Sequence, residues 1–448
     1  MRWLFLLLIA AFVVGDIFGL GMSLMTGVSV KNALLYAILF MLVFRVALAG
    51  DFRFELPSIH LAFFLLIAYA TLAWIAAFAF VKYSGYHMVE GLITLKTRLV
   101  DPAIMLLAAF YGLRTMADAK WVLGVLMLGI GAANFATIAD TAGIIHFGMK
   151  VGDHGPEMGR VFGAFGHAND TGSLIVCVLP AMIAMMITNQ GAKRIMWFGC
   201  MMASSLVLIL TVSRGAFVGL FVGTVWGAWL CRRYVPVQRL AMFGVVALVG
   251  VVLAIAVAGL LDPQIGNVIS ERLFGQSKAY DMGEASSGRT AIWAEAISRM
   301  ARSPMSFLSG FGWDVYSVMP FRYAPHNHYL GMWFDLGVPG LALFVFLLSR
   351  IVSTVRRAVP AADEETRPHL IAFVFGMLAL AIAIVFADLF DPWSYIWLYV
   401  GVMLRMAVLV RATADEYTPS ALHTAELPLR VIRDAPGPFG GTLAGRPR

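Results

Sequence analysis

The sequence predicts an all-α fold, a polytopic membrane protein of about 12 transmembrane helices with a long outer loop that carries short amphipathic helices. Three observations lead there. Of the 448 residues 60% are hydrophobic and only 13% charged, and the mean hydropathy is +0.82, far from the balance of soluble domains. About a dozen apolar runs approach the roughly 20 residues that a helix needs to cross a bilayer. A backbone in lipid must satisfy its own hydrogen bonds, and runs of this length do so as helices rather than as barrel strands.

The spans fall at about 3–25, 30–49, 59–81, 99–116, 120–139, 170–188, 195–212, 215–231, 240–261, 327–349, 369–388 and 392–410. The first lacks a small-residue cleavage site and reads as a retained span rather than a signal peptide. Connectors holding Arg45/Arg53, Arg114/Lys120, Lys193/Arg194, Arg232/Arg233/Arg239 and Arg350/Arg356/Arg357/Arg367 fall on one side. The positive-inside rule places them, with both termini, in the cytoplasm. On the outer face lie the intervals 82–98, 140–169, Ser213-Arg214 and 262–326. The chain thus divides into a bundle over 1–261, an outer loop over 262–326, C-terminal helices over 327–410 and a tail over 411–448. The tail, with Pro419, Pro428, Pro436, Pro438 and Pro447 among Gly and Arg, reads as a disordered cytoplasmic end. Cys177, Cys200 and Cys231 all lie in apolar runs and suggest neither a disulfide framework nor a metal site.

The candidates for chemistry gather on the outer face. In the loop, Ser286-Ser287-Gly288-Arg289 starts a helix to about Arg302 whose stripe of Ile292, Trp293, Ala296, Ile297 and Met300 lies against the bundle. Gly310-Phe311-Gly312-Trp313 is an aromatic turn that folds back over it. The loop ends in Pro325-His326-Asn327-His328, where Pro325 fixes the entry into a span. A neutral imidazole at His326 suits removal of a hydroxyl proton near neutral pH, although a lone His at a helix start is more often a cap. His328 faces away from His326 along a helix and reads as structural. Arg214 lies in Thr211-Val212-Ser213-Arg214-Gly215, on a face that should be poor in cations. The bland reading is a snorkelling guanidinium, the functional one a bidentate grip on phosphate. Arg289 opens its helix beside Ser286, Ser287 and free backbone N–H groups, a setting for phosphate; the bland reading is a solvated first-turn Arg. Arg160 heads a glycine-rich segment through Gly163 and Gly166-His167-Ala168 to Asn169, without the GxxxxGK[ST] order of a nucleotide loop. No HExxH or CxxC occurs, so no metal is expected. Asp335 lies nine residues beyond His326, about 13 Å along a helix, and reads as the partner of an Arg inside the bundle.

The ordered set Arg160-x-x-Gly163 to Asn169, Ser213-Arg214-Gly215, Gly288-Arg289 with Trp293, Gly310-x-Gly312, His326-Asn327-x-x-Leu330 and Asp335-x-Gly337-x-x-Gly340 resembles the O-antigen ligase and polymerase family. The resemblance covers about residues 155–345, with Ala168 where the family often has proline and Asp335 where it often has Glu. It implies an inverting, metal-independent glycosyltransferase without a cofactor, on the periplasmic side of the bacterial inner membrane. The donor would be an undecaprenyl-diphosphate glycan and the acceptor a hydroxyl of lipid A–core or of another polysaccharide unit. His326, Arg214 and Arg289 would be catalytic, and Arg160, Asn169 and Asn327 would bind substrate. Ligase and polymerase stay open as alternatives, with transfer to protein a third. A transporter or flippase of anionic lipids is the reading from another class, but it needs ionisable groups strung along the membrane depth and alternating access, and no internal repeat supports it.

Overall fold

The computed structural model describes residues 1–20, 23–25, 27–49, 55–147, 160–235, 238, 289–321, 325–388 and 393–417. The span expected at 240–261, Gly159, Ser286 to Gly288 and the tail from 418 onward lie outside them.

The described residues are almost wholly helical. In chain order they form α1 (Arg2–Ile17), a small hairpin of β1 (Ser23–Met25) and β2 (Val28–Ser29), α2 (Val30–Ala49) and α3 (Pro57–Ile75), extended by a π-helical stretch, Ala76–Val81. Then come α4 (Met88–Leu95), a second π stretch, Lys96–Val100, α5 (Asp101–Gly112), α6 (Met116–Thr141), α7 (Ala168–Thr188), α8 (Gly191–Leu210) and α9 (Arg214–Leu230). After the undescribed interval follow α10 (Arg289–Arg302), α11 (Pro304–Ser309), a 3₁₀ turn (Val315–Val318), α12 (His328–Ala358), α13 (Arg367–Ala383) and α14 (Trp393–Tyr417).

Among the described residues seven helices are long and apolar enough to cross a membrane, and Arg214–Leu230 and Arg367–Ala383 are shorter apolar helices. Five expected boundaries change by five residues or more, one of them the helix expected to end at 349, which runs to Ala358. The first helix stops at Ile17 rather than at 25, because Gly19 turns the chain with φ +60° into the hairpin. The interval 82–98 shrinks, since helix resumes at Met88 and runs unbroken to Gly112. Two of its charges, Lys96 and Arg98, look like loop residues in the sequence but are paired with carboxylates. Lys96 reaches Asp101 at 2.8 Å, Asn32 and Tyr36 donate to the same carboxylate, and Arg98 pairs with Asp314 at 2.9 Å. The span expected to 388 ends at Ala383. The last helix continues to Tyr417, past the expected start of the tail at 411.

Gly215, Gly219, Gly223 and Gly227 recur every four residues on α9, so they share a face. A Cβ on Gly219 would sit 2.6 Å from Ala379 O, and one on Gly223 2.4 Å from Ala379 N and Cα. The two backbones of α9 and α13 therefore touch, the small-residue packing by which helices associate where lipid supplies no hydrophobic drive. The face opposite the ladder carries Phe221 and Trp229, 73% and 60% exposed.

The connectors sort to two ends. At one, Arg405 reaches Glu55 and the Leu113 carbonyl, Arg350 reaches Ser58 and Lys120 reaches Glu365. At the other, residues from 82–98, 160–169, 211–214 and 310–328 meet. Tyr86 Oη donates to the Trp313 carbonyl at 2.6 Å, and Val161 N–H to the Leu210 carbonyl at 3.2 Å.

Candidate active site

Pro325 to His328 is fastened by its backbone. Both oxygens of Asp388 accept amide N–H groups, Oδ2 from His326 at 2.7 Å and Oδ1 from Asn327 at 3.1 Å. The next amide, of His328, donates to the carbonyls of Ile384 and Ala387. Asn327 caps α12, its Oδ1 accepting from Leu330 N–H at 3.0 Å. Held this way, His326 takes φ +45°, in the left-handed region that L side chains seldom enter. Its imidazole is 38% exposed, with Nδ1 3.9 Å from Oδ2 of an Asp388 carboxylate that is 8% exposed. Burial pushes the Asp388 carboxyl above its ordinary range, against the opposing pull of His326 and the two amides. His328, in contrast, is buried with its ring edge-to-face on Phe344.

A second assembly holds the turn before α9. Arg160 is 3% exposed, and its Nε donates to the Thr211 carbonyl and its Nη2 to Asn169 Oδ1, both at 2.9 Å. Ser213 Oγ donates to the same Asn169 oxygen at 3.1 Å. Between Thr211 and Ser213, Val212 is held at φ +46°, a costly conformation for a β-branched residue. The strained turn sets Arg214 as the first residue of α9. The structure thus brings Arg160 and Asn169 together and joins them to the backbone next to Arg214.

The helix starts that bear Arg214 and Arg289 both adjoin Phe386, two residues before Asp388. A Cβ on Gly215 would lie 2.4 Å from Phe386 Cβ, so the start of α9 abuts the strand of chain that leads to Asp388. Arg289 opens α10, and Trp293, one turn later on the same face, donates from Nε1 to the Pro325 carbonyl at 2.8 Å and lies 6.4 Å from the Phe386 ring. The expected stripe of α10 buries Ala296 and Met300 against Tyr316, Leu330 and Phe334, while Ile297 stays 44% exposed.

Two residues join the site that sequence reasoning did not assign to it. His167 caps α7, lies 6.4 Å from the His326 ring and stacks with Phe162 at 5.1 Å. Asp388 stands at the end of the expected span 369–388, 62 residues along the chain from its histidine. The expected role of Asp335 is corrected. Its oxygens accept the backbone N–H groups of Asp314 and Tyr316, each at 3.1 Å, and it is Asp314 that holds Arg98.

Residues 199–345 match a family model described as O-antigen ligase. The matched stretch takes in Arg214, Arg289, His326, Asn327 and Asp335. No curated protein matches the chain.

Proposed function

From the premise that the chain is a member of the O-antigen ligase family through residues 199–345, we propose that it transfers a glycan from undecaprenyl diphosphate to an acceptor hydroxyl, with inversion and without a metal ion, at the periplasmic face of the bacterial inner membrane. The observation that carries the reading is the junction at Phe386, where the helix starts bearing Arg214 and Arg289 meet the segment whose Asp388 fastens His326.

In the reaction the acceptor oxygen attacks the anomeric carbon while the bond from that carbon to the phosphate oxygen breaks. The diphosphate leaves with the electron pair, and the acceptor proton passes to His326. Asp388 faces the imidazole and stabilises the charge it gains. Arg214 and Arg289 sit where negative charge grows on the departing oxygen, and the N-termini of α7 and α9 at the same end add their partial positive charge. Arg160 and Asn169, bound to each other, position Arg214 through the 211–213 turn. Asn327, with Oδ1 engaged in the cap, has its Nδ2 for a substrate oxygen.

The test is turnover by the purified protein, given an undecaprenyl-diphosphate glycan and candidate acceptors, followed as release of undecaprenyl diphosphate. Arg214→Ala is expected to lower kcat by about 10²–10³, and His326→Ala to abolish measurable turnover. Full activity in both variants would overturn the assignment. The lipopolysaccharide and polysaccharide profiles of a deletion strain decide between a lipid A–core acceptor and chain polymerisation.

A further inference from the structure

At the end of the bundle away from His326, another set of cations converges. A cavity of about 300 Å³ opens between the start of α1, the end of α2 and the turn from α5 to α6. Among the described residues that line it, the charged side chains are Arg2, Arg45, Arg114 and Asp118, three guanidiniums against one carboxylate. The positive-inside rule accounts for cations at one end of a bundle, but not for three that face one hollow. Elsewhere at this end cations are matched, Arg405 with Glu55 at 2.7 Å and Lys120 with Glu365 at 3.0 Å.

Two of the three are held in place. Arg45 Nη2 donates to the Tyr111 carbonyl at 2.8 Å, which pins the guanidinium beside the cavity. The Arg2 guanidinium lies 5.6 Å from the centre of the Trp3 ring, and Trp3 packs edge-on against Trp121 at 5.5 Å. Arg114 is exposed in the turn and, among the described residues, makes no hydrogen bond or ion pair. Asp118 offsets little of this charge. Its Oδ1 stands 3.9 Å from Arg2, beyond hydrogen-bonding distance, and its Oδ2 accepts the Thr115 hydroxyl at the start of α6. The like charges of Arg114 and Arg405 act on Arg45 as well. Guanidiniums gathered without counter-charge repel one another, and a phosphate between them replaces that repulsion with charge-assisted hydrogen bonds.

The surroundings select the kind of phosphate. Arg45 lies four residues, about 6 Å, before the end of α2 at Ala49, the depth at which a spanning helix passes from hydrocarbon to headgroups. On the same helix Phe40, Met41, Phe44 and Leu48 are exposed, with Met41 one turn deeper on the face that bears Arg45. Trp3, in the cavity lining, is exposed too, and indoles gather at this level of a bilayer. An apolar wall leading down from a cationic hollow suits a lipid, phosphate above and acyl chains below, and offers a free ion nothing further.

We propose that this cavity binds the headgroup of an anionic glycerophospholipid: Arg2, Arg45 and Arg114 hold its phosphodiester, and its acyl chains lie along the exposed face of α2. The bound lipid ties α1, α2 and the α5–α6 turn together at one level of the membrane. The site is remote from His326 and needs no turnover, so it stands or falls apart from the transfer reaction.

The test uses lipid-stripped protein in detergent, titrated with phosphatidylglycerol or phosphatidylcholine, with the first bound lipid followed by native mass spectrometry. Phosphatidylglycerol should bind about tenfold more tightly. Arg114→Gln should weaken its binding about fivefold, and Arg45→Gln by at least as much. Arg233→Gln removes one exposed charge just beyond α9, outside the cavity lining, and should leave the affinity unchanged. Excess inorganic phosphate should not displace the lipid. Trp3 gives a second reading that alters no charge: with acyl-brominated phosphatidylglycerol, Trp3→Phe should remove more of the quenching than it does with brominated phosphatidylcholine. Equal affinity for the two lipids, equal losses in Arg114→Gln and Arg233→Gln, displacement by inorganic phosphate, or equal quenching of Trp3 by the two lipids would each overturn the proposal.

Discussion

At the scale of single residues, the unusual feature is that His326 is positioned by its main chain. Two amides of the 326–327 segment end on one buried carboxylate, and the left-handed φ of His326 is what lets both point the same way. Asp388→Asn exchanges one of those acceptors for an N–H₂ that faces another donor, and removes a charge. A hydrogen bond to a charged group is worth about 1.5–3 kcal/mol, so kcat should fall about tenfold to a hundredfold. Its pH behaviour has two opposite signs. Burial raises the Asp388 pKa above 3.8, so as pH falls through that raised value the carboxyl takes a proton and activity drops. Over the same window the folded protein binds more protons than the unfolded chain, so the Asp388 contribution to stability grows on acidification and is lost as pH rises. A pH profile of kcat/KM beside one of the thermal midpoint shows both, and Asp388→Asn removes this component from each. His326 and Asn327 were legible in the sequence because polar residues at the head of an apolar run have few other reasons to be there. Asp388 was not, because only the tertiary fold brings it across 62 positions.

At the scale of elements, α12 is two helices joined at Gly337, whose φ of +62° and ψ of −165° no other residue adopts comfortably. A Cβ there would lie 2.2 Å from the Leu308 carbonyl. The kink is the seat on which the outer segment docks, since Phe311 and Gly312 donate to the carbonyls of Phe334 and Asp335 just before it. Gly337→Ala should cost about 1–3 kcal/mol in backbone strain, lower the thermal midpoint and loosen the 310–316 turn. Protease digestion would show new cleavage between α11 and α12, with α1 to α9 unchanged. The helices that alternate cleanly between apolar run and turn were placed within a few residues. The largest departure, α4 through α5, shows the limit of hydropathy. Lys96 and Arg98 mark a loop when counted as charges, and fit a helix once Asp101 and Asp314 pair with them.

At the scale of the whole molecule, the cationic connectors lie at one end and the candidate site at the other, so orientation in the membrane decides which compartment the chemistry faces. Cys177, Cys200 and Cys231 are all buried, which leaves the wild type silent to a membrane-impermeant maleimide. With the site facing the periplasm, Ala301→Cys on exposed α10 should be labelled in spheroplasts. Glu364→Cys, exposed in the turn between α12 and α13, should react only after permeabilisation. The reverse pattern would invert the topology. The all-α fold class was readable from hydropathy, whereas a cavity beside Asp388 depends on α3, α12 and α14 meeting, and pairing of distant helices leaves no periodic trace. The contact between α9 and α13 has one more consequence. Because Gly219 and Gly223 bring main chain against main chain, the separation of Arg214 at one helix start from Asp388 beyond the other helix end is fixed by atoms that every residue shares. It acts as a gauge block, so the lipid-facing side chains of α9 can drift to suit a thicker or thinner bilayer without moving the charges that face the substrate.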